Sequence, residues 1–339
     1  MKTIISFIIP TLNAASVLET CLKAIKKQTL ASSKYEIIIA DGGSTDNTIK
    51  IAKKYKAKIF KNPLKTAEAG KAVGVKNANG KYIALIDSDN IIPTKKWLET
   101  NLNILEKNND LIGIEPLFFT YRPKAGFIER YSALTGVNDP YAFVSGVYDR
   151  KNYINFKWTG LKIDQIDKGK YIKIKLKPDS SIPTIGANGT IFRTDFLKKN
   201  LTSDYLFDID IIASFLSKHK KTIYFAKVKQ GIIHTFCESS IKKFIRKQNR
   251  RITDYFYYQN LREFNWSQTN KLGIIGFIVY ILLIIPMFFD TFRGFIHKPD
   301  KAWFFHPIAC VITLYLYTIN TIKNKFGLLK QLDRQKWQQ

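Results

Sequence analysis

The sequence predicts an α/β chain: a Rossmann-like, mostly parallel sheet, followed by an amphipathic helix and a C-terminal hairpin of two transmembrane helices. Three observations predict it. Short apolar runs at 4–9, 35–40 and 82–86 alternate with helical patterns, and such alternation implies right-handed crossovers into a parallel sheet. Each run ends in a cluster rich in Pro, Gly, Ser, Thr, Asn or Asp, as strand ends do. Residues 272–289 and 302–319 carry no formal charge, and about 20 mainly apolar residues cross a bilayer.

Taken in order, the first strand is 4–9, closed by Pro10-Thr11-Leu12-Asn13. The opening MKTIISFIIPTLNAA superficially resembles a signal peptide, but its apolar run is short, is broken by Pro10 and doubles as this strand, so it is expected to be retained. Val17, Leu18, Cys21, Leu22 and Ile25 then keep the spacing of one helix face, and Ser16 with Glu19 has the spacing of a capping box. The second strand, 35–40, runs into Asp41-Gly42-Gly43-Ser44-Thr45-Asp46-Asn47-Thr48. The third, 82–86, lies between Gly80 and Asn90 and delivers Asp87 and Asp89, separated by Ser88. In an open α/β sheet, ligands sit outside the carboxyl ends of the strands. Two carboxylates so placed repel unless a cation lies between them, and hard oxygen ligands suit Mg2+ or Mn2+. Taken alone, an Asp-x-Asp also caps helices and solvates turns.

Four segments in one register, FIIPTLN (7–13), IIIADGGSTDNT (37–48), GKAVGVKNANGKY (70–82) and ALIDSDN (84–90), resemble the family 2 glycosyltransferases and their GT-A fold over roughly the first 90 residues. The resemblance implies that Pro10, Thr11 and Asn13 wall the nucleotide and that Asp41 meets the base. It implies that Lys71 faces the diphosphate, that Asp87 and Ser88 line the nucleotide-sugar site, and that Asp87 and Asp89 form the metal motif, Asp89 being the more direct ligand. The chain departs from the family at Ala14, often Glu, and at Ala72, often Asn. Further on, 185–193 resembles the acceptor loop, with Gly186, Asn188 and Gly189 admitting close approach of a sugar; read by itself it is equally an ordinary loop before a buried strand. In 205–212 the pattern aligns Asp208 with the general base, Phe207 replacing the usual Glu, and Asp210 is the runner-up. His234 resembles a histidine brought to the metal or diphosphate; the alternative is a packed, hydrogen-bonded residue. Cys237 three residues later makes too few ligands for zinc. Residues 247–251 resemble the Gln-x-x-Arg-Trp motif of processive polysaccharide synthases, but Ile252 stands at the Trp position and processivity is not inferred.

The expected layout is a GT-A domain over 1–235 (nucleotide half 1–115, acceptor half 116–235) and an interfacial amphipathic region over 236–268. Membrane helices follow over 269–325 (about 272–290 and 302–322), then a cytoplasmic tail over 326–339. In 241–256, Ile241, Phe244, Ile245, Gln248, Ile252, Tyr255 and Phe256 repeat helically with basic residues opposite, the pattern of a helix lying on an anionic membrane. Basic residues are heavier outside the hairpin than in its 290–301 link, which places the first domain and the tail in the cytoplasm and the link outside. The 339 residues carry a net charge of +27. No nucleic-acid motif accompanies it, so the charge is assigned to anionic lipid, nucleotide and a phosphate-bearing acceptor rather than to nucleic acid. The three cysteines show no paired spacing, which argues against a disulfide scaffold and fits a reducing compartment.

The resemblance thus implies a metal-dependent inverting enzyme that moves a sugar from a nucleotide-diphosphate donor, and the expected membrane anchor points to a membrane-associated acceptor, first of all a lipid-linked saccharide. The alternatives are a polyprenyl-phosphate glycosyltransferase, a nucleotidyltransferase-like protein, whose glycine- and arginine-rich loop is absent after Ile9, and an inactive membrane scaffold.

Overall fold

A computed structural model describes residues 3–178, 180–262, 271–332 and 334. Its strands are β1 (Ile5–Thr11), β2 (Tyr35–Asp41), β3 (Lys58–Lys61), β4 (Tyr82–Leu85), β5 (Asn90–Ile91), β6 (Leu111–Phe119), β7 (Asp164–Asp167), β8 (Tyr171–Leu176), β9 (Thr190–Arg193) and β10 (Ile223–His234). Its helices are α1 (Ala15–Lys26), α2 (Thr48–Lys54), α3 (Ala67–Asn77), α4 (Trp97–Lys107), α5 (Phe127–Thr135), α6 (Pro140–Val144), α7 (Thr194–Asn200), α8 (Ile211–His219), α9 (Ile241–Tyr257), α10 (Lys271–Leu282), α11 (Ile285–His297) and α12 (Phe305–Lys325).

The strands form one sheet in the order β3-β2-β1-β4-β9-β6-β10-β8-β7, with β5 paired to the end of β10. The expectation of a mostly parallel sheet needs correction. Strands β3, β2, β1 and β4 are parallel, but β9 enters antiparallel between β4 and β6, and β10 is antiparallel to β8. The nucleotide-side strands are linked by crossover helices, whereas β7 and β8 are joined by a tight turn, which permits only antiparallel pairing. Every residue of β1 and β2 is buried, because helices cover both faces of a parallel sheet. Helix α3 lies against β1 through Gly74, where a Cβ would stand 2.2 Å from Cγ2 of Ile8.

The capping box is also corrected. Helix α1 starts at Ala15, one residue ahead of Ser16, and long-range partners satisfy its first amides: Thr48 Oγ1 accepts from Ala14 N at 2.8 Å and Asp46 Oδ2 from Ala15 N at 3.1 Å. Glu19 pairs instead with Lys54 at 2.7 Å.

The C-terminal helices differ most from expectation. The run expected to span at 272–290 is two helices, α10 and α11, bent by 86° across Leu283–Ile284. Pro286 in the first turn of α11 requires the break, since it has no amide to continue α10. Among the described residues, only the helix over 301–325 is by itself long and apolar enough to cross a membrane. The apolar face of α9 is in part turned inward: Phe244 and Ile252 are buried, Phe244 against Phe305 of α12 at 5.2 Å between ring centres. The buried part of that face meets protein, while Ile241 and Ile245 stay exposed.

Candidate active site

The carboxyl ends of β1 and β2 converge on Asp41. Thr11 Oγ1 donates to its Oδ1 at 2.9 Å, Gly43 N and Ser44 N donate to its Oδ2 at 2.9 and 2.8 Å, and the Ser44 hydroxyl donates to Oδ1. A carboxylate offers about four acceptor sites, so a base could reach Asp41 only by displacing one of these donors. Asn13, in the left-handed region at φ 50°, laces the two loops together: its amide donates to Ser44 Oγ at 2.8 Å and its Oδ1 accepts from Thr45 N at 2.9 Å. Pro10 is turned toward α3, against Gly70, where a Cβ would stand 2.7 Å from its own.

At the end of β4, Asp87 is half-buried, and Ser88 and Asp89 are buried. Asn90 closes the turn, its Oδ1 accepting from Asp87 N at 3.1 Å. Burial raises the Asp87 carboxyl, with the Asp89 and Asp208 carboxylates adding to it against the pull of Lys71. Burial opposes ionisation of Asp89 as well, but Lys247 and His234 more than offset it and hold that carboxyl far below the usual range. Lys247 Nζ is 2.9 Å from Asp89 Oδ2, and His234 Nε2 is 3.3 Å from Oδ1. Asn138 Nδ2 lies 3.2 Å from His234 Nδ1, and as a donor it assigns the proton to Nε2, facing Asp89. His234 therefore bonds to both the acidic motif and a neighbouring amide.

Lys71, buried on α3, reaches Asp208 Oδ2 at 3.1 Å. Burial disfavours its charge, yet Asp208, Asp87 and Glu68 raise it well above the ordinary lysine value. Asp208 lies beside Gly186, where a Cβ would stand 3.3 Å from its Oδ2. Asp210, the runner-up base, is enclosed in a two-pronged pair with Arg262, Nε to Oδ2 at 2.8 Å and Nη2 to Oδ1 at 2.6 Å. In the acceptor loop, Asn188 Oδ1 accepts from Asn90 Nδ2 at 3.0 Å and its carbonyl accepts from Arg150 Nη2 at 3.1 Å. Gly189 has φ 81° and packs on Pro116, so its missing side chain answers to backbone and packing.

Among the described residues, no three His, Cys, Asp or Glu side chains converge as a complete metal cage. The donor set fits a divalent cation of another kind: one or two carboxylates, with substrate phosphates supplying the remaining oxygens, is the usual magnesium arrangement. Asp87 and Asp89 could hold it, with His234 beside them.

Sequence reasoning missed Lys247, Arg251, Arg262 and the buried group around Arg150. Lys247 and Arg251 lie on the basic face of α9 expected to meet lipid. The Gln-x-x-Arg spacing was the available signal, since Gln248 Nε2 and Arg251 Nη1 both donate to the Asn138 carbonyl, at 2.7 and 3.3 Å. Arg150 and Lys227, buried with Glu115, had no local signal.

Residues 6–124 match the family described as Glycosyl transferase family 2. Glycosyltransferase AglE of Haloferax volcanii is 30% identical over 140 residues, 39% of this chain and 45% of that one. Poly(ribitol-phosphate) beta-N-acetylglucosaminyltransferase TarP of Staphylococcus aureus is 34% identical over 115 residues, 32% of this chain and 35% of that one. The chain thus spans less than half the length of these curated relatives. The structure of the mannosyltransferase PcManGT from Pyrobaculum calidifontis, in complex with GDP-Man and Mn2+, superposes with a TM-score of 0.52 at 11% identity, covering 96% of this chain and 88% of that one, a likeness of fold. Residues 6–124, whose strand ends carry Asp41 and the Asp87–Asp89 pair, are therefore a family 2 glycosyltransferase domain on a GT-A-like sheet.

Proposed function

We propose that this chain transfers a glycosyl group, with inversion, from a nucleotide-diphosphate sugar to an acceptor held at a membrane surface, using Mg2+ or Mn2+ at Asp89 and Asp87. The observation that carries this reading is the Lys71–Asp208 pair at 3.1 Å, which joins the nucleotide half to the acceptor half beside the acidic motif. The diphosphate is a stronger partner for Lys71 than one carboxylate is. Donor binding draws Lys71 away and leaves Asp208 free to take the proton of an acceptor hydroxyl. Attack by that hydroxyl on the face opposite the departing diphosphate inverts the anomeric centre. When bound, the cation neutralises charge on the leaving diphosphate. Asp41 and Asn13 shape the loop that receives the nucleoside, and Arg150 holds the acceptor loop through the Asn188 carbonyl.

The apolar surface of α10–α12 supports a lipid-linked acceptor, because sharing one surface raises the effective concentration of both partners. A polyprenyl phosphate is the second reading, favoured by the ammonium groups of Lys71 and Lys247 in the cleft; such an acceptor arrives ionised and needs no base.

Membranes carrying the protein, incubated with a panel of labelled nucleotide sugars, test this. Expected are chelator-sensitive release of nucleoside diphosphate and label extractable into organic solvent. Release of pyrophosphate would indicate nucleotidyl transfer, and no release with any donor would indicate a scaffold.

A further inference from the structure

Building on the membrane reading above, we infer that the C-terminal helices seat the protein in one leaflet of an anionic bilayer and do not cross it. Helix α12 has 21 residues, about 31 Å at 1.5 Å per residue, enough to span. A spanning helix leaves its soluble domain behind, whereas α12 remains against the domain along its length. Near its start Phe305 packs on Tyr131 of α5 at 5.3 Å between ring centres. In its middle Tyr317 donates to Asp139 Oδ2. Near its end Asn320 Nδ2 donates to Asn249 Oδ1 of α9 at 2.8 Å. The opposite stripe, through Ile308, Val311, Tyr315 and Ile322, is exposed and apolar. The helix is two-faced from end to end, one face on protein and one bare.

The 290–301 link lies beside the same domain. Arg130 Nε and the Tyr121 hydroxyl both donate to Asp300 Oδ2, at 2.9 and 2.6 Å, and His297 Nδ1 is 2.9 Å from the Tyr153 carbonyl. A bilayer cannot pass between the partners of an ion pair.

The corner between α10 and α11 supplies the apolar tip. Leu282, Leu283, Ile284 and Ile285 are 71, 60, 57 and 78% exposed, a run that water disfavours. Ile284 sits there at φ 60°, a strained value for a β-branched side chain. A lipid-exposed break of this kind is not tolerated in the hydrocarbon core. At the depth of an in-plane amphipathic segment, about 5–10 Å into the headgroup and acyl boundary, headgroups and water satisfy its backbone. Lys271, Lys323 and Lys325 at the ends of α10 and α12, on a chain of net charge +27, match an anionic headgroup layer.

Single cysteines at Lys34, on the domain, and Lys301, on the link, would be labelled in the full-length chain in intact cells with a membrane-impermeant maleimide, then again after permeabilisation. Cys21, Cys237 and Cys310 are buried, so the unsubstituted chain is the blank. The two sites are expected to behave alike; labelling from opposite sides would overturn the inference. A fluorophore at Leu283, in protein reconstituted with acidic phospholipid, is expected to be quenched at least fivefold better by lipids brominated near the headgroup end of the acyl chain than by aqueous iodide. The reverse preference would also overturn it. Neither measurement reads sugar transfer, so failure of the enzymatic reading leaves both results standing.

Discussion

Asp208 and Asp210 are two residues apart, carry the same charge and occupy opposite situations. Asp208 pairs with Lys71 and lies beside Gly186 of the acceptor loop, while Asp210 is locked to Arg262 with both side chains nearly buried, 6 and 9% exposed. Asp208→Asn is therefore expected to slow transfer to a hydroxyl acceptor by about 10²–10⁴-fold, with donor affinity retained. Asp210→Asn is expected to leave the turnover of the folded fraction near normal and to cost about 3 kcal/mol of stability, because it strands a buried guanidinium. Turnover paired with thermal unfolding separates the two. If Asp208→Asn is fully active, the polyprenyl-phosphate reading replaces the hydroxyl one. Lys247 allows a second check in the same cleft. Its ammonium occupies Asp89 Oδ2, where a divalent cation would bind. Lys247→Met is expected to tighten Mn2+ binding several-fold in calorimetric titration without donor, and weaker binding would show that the lysine is no rival of the metal.

Helices α3 and α9 set the positions of these residues. Helix α3 carries Lys71 to Asp208 only because Gly70 and Gly74 let it lie close against β1. Gly74→Ala forces Ile8 aside and is expected to cost about 1–3 kcal/mol through overpacking. It should also raise the donor KM more than it lowers kcat, since Lys71 moves with the helix. Gly276→Ala, whose Cβ would meet nothing within 4 Å, is the control: it should cost no stability and leave the donor KM and kcat unchanged. Unfolding midpoints and donor saturation curves give both readings. Helix α9 has a real apolar periodicity, but a stripe of Phe and Ile packs equally well on a bilayer or on another helix. Here α12 supplied the partner, and the basic face turned toward Asp89 and Asn138.

Over the whole chain, a charge of +27 and an apolar C-terminal surface act together. Charge attracts the protein to acidic lipid over about 10 Å at 0.1 M salt but only about 3 Å at 1 M, whereas apolar burial survives salt. Flotation with acidic vesicles is therefore expected to show binding that weakens between 0.1 and 1 M salt yet persists. Complete release at 1 M would mean that charge alone holds the protein.

Strand ends, helix faces and uncharged runs were legible in the sequence because each depends on neighbours within a few residues. The strands carrying Thr11, Asp41, Asp87 and Asp89, and the family resemblance built on them, followed from such short-range patterns. The partner of each charge did not. Lys71 meets Asp208 across 137 positions and Asp89 meets Lys247 across 158, and no local pattern encodes a pairing at that distance. The insertion of β9 among parallel strands and the seating of α12 along the domain were decided in the same way. An apolar stripe specifies that it must leave water, and only the packed chain decides whether protein or lipid covers it.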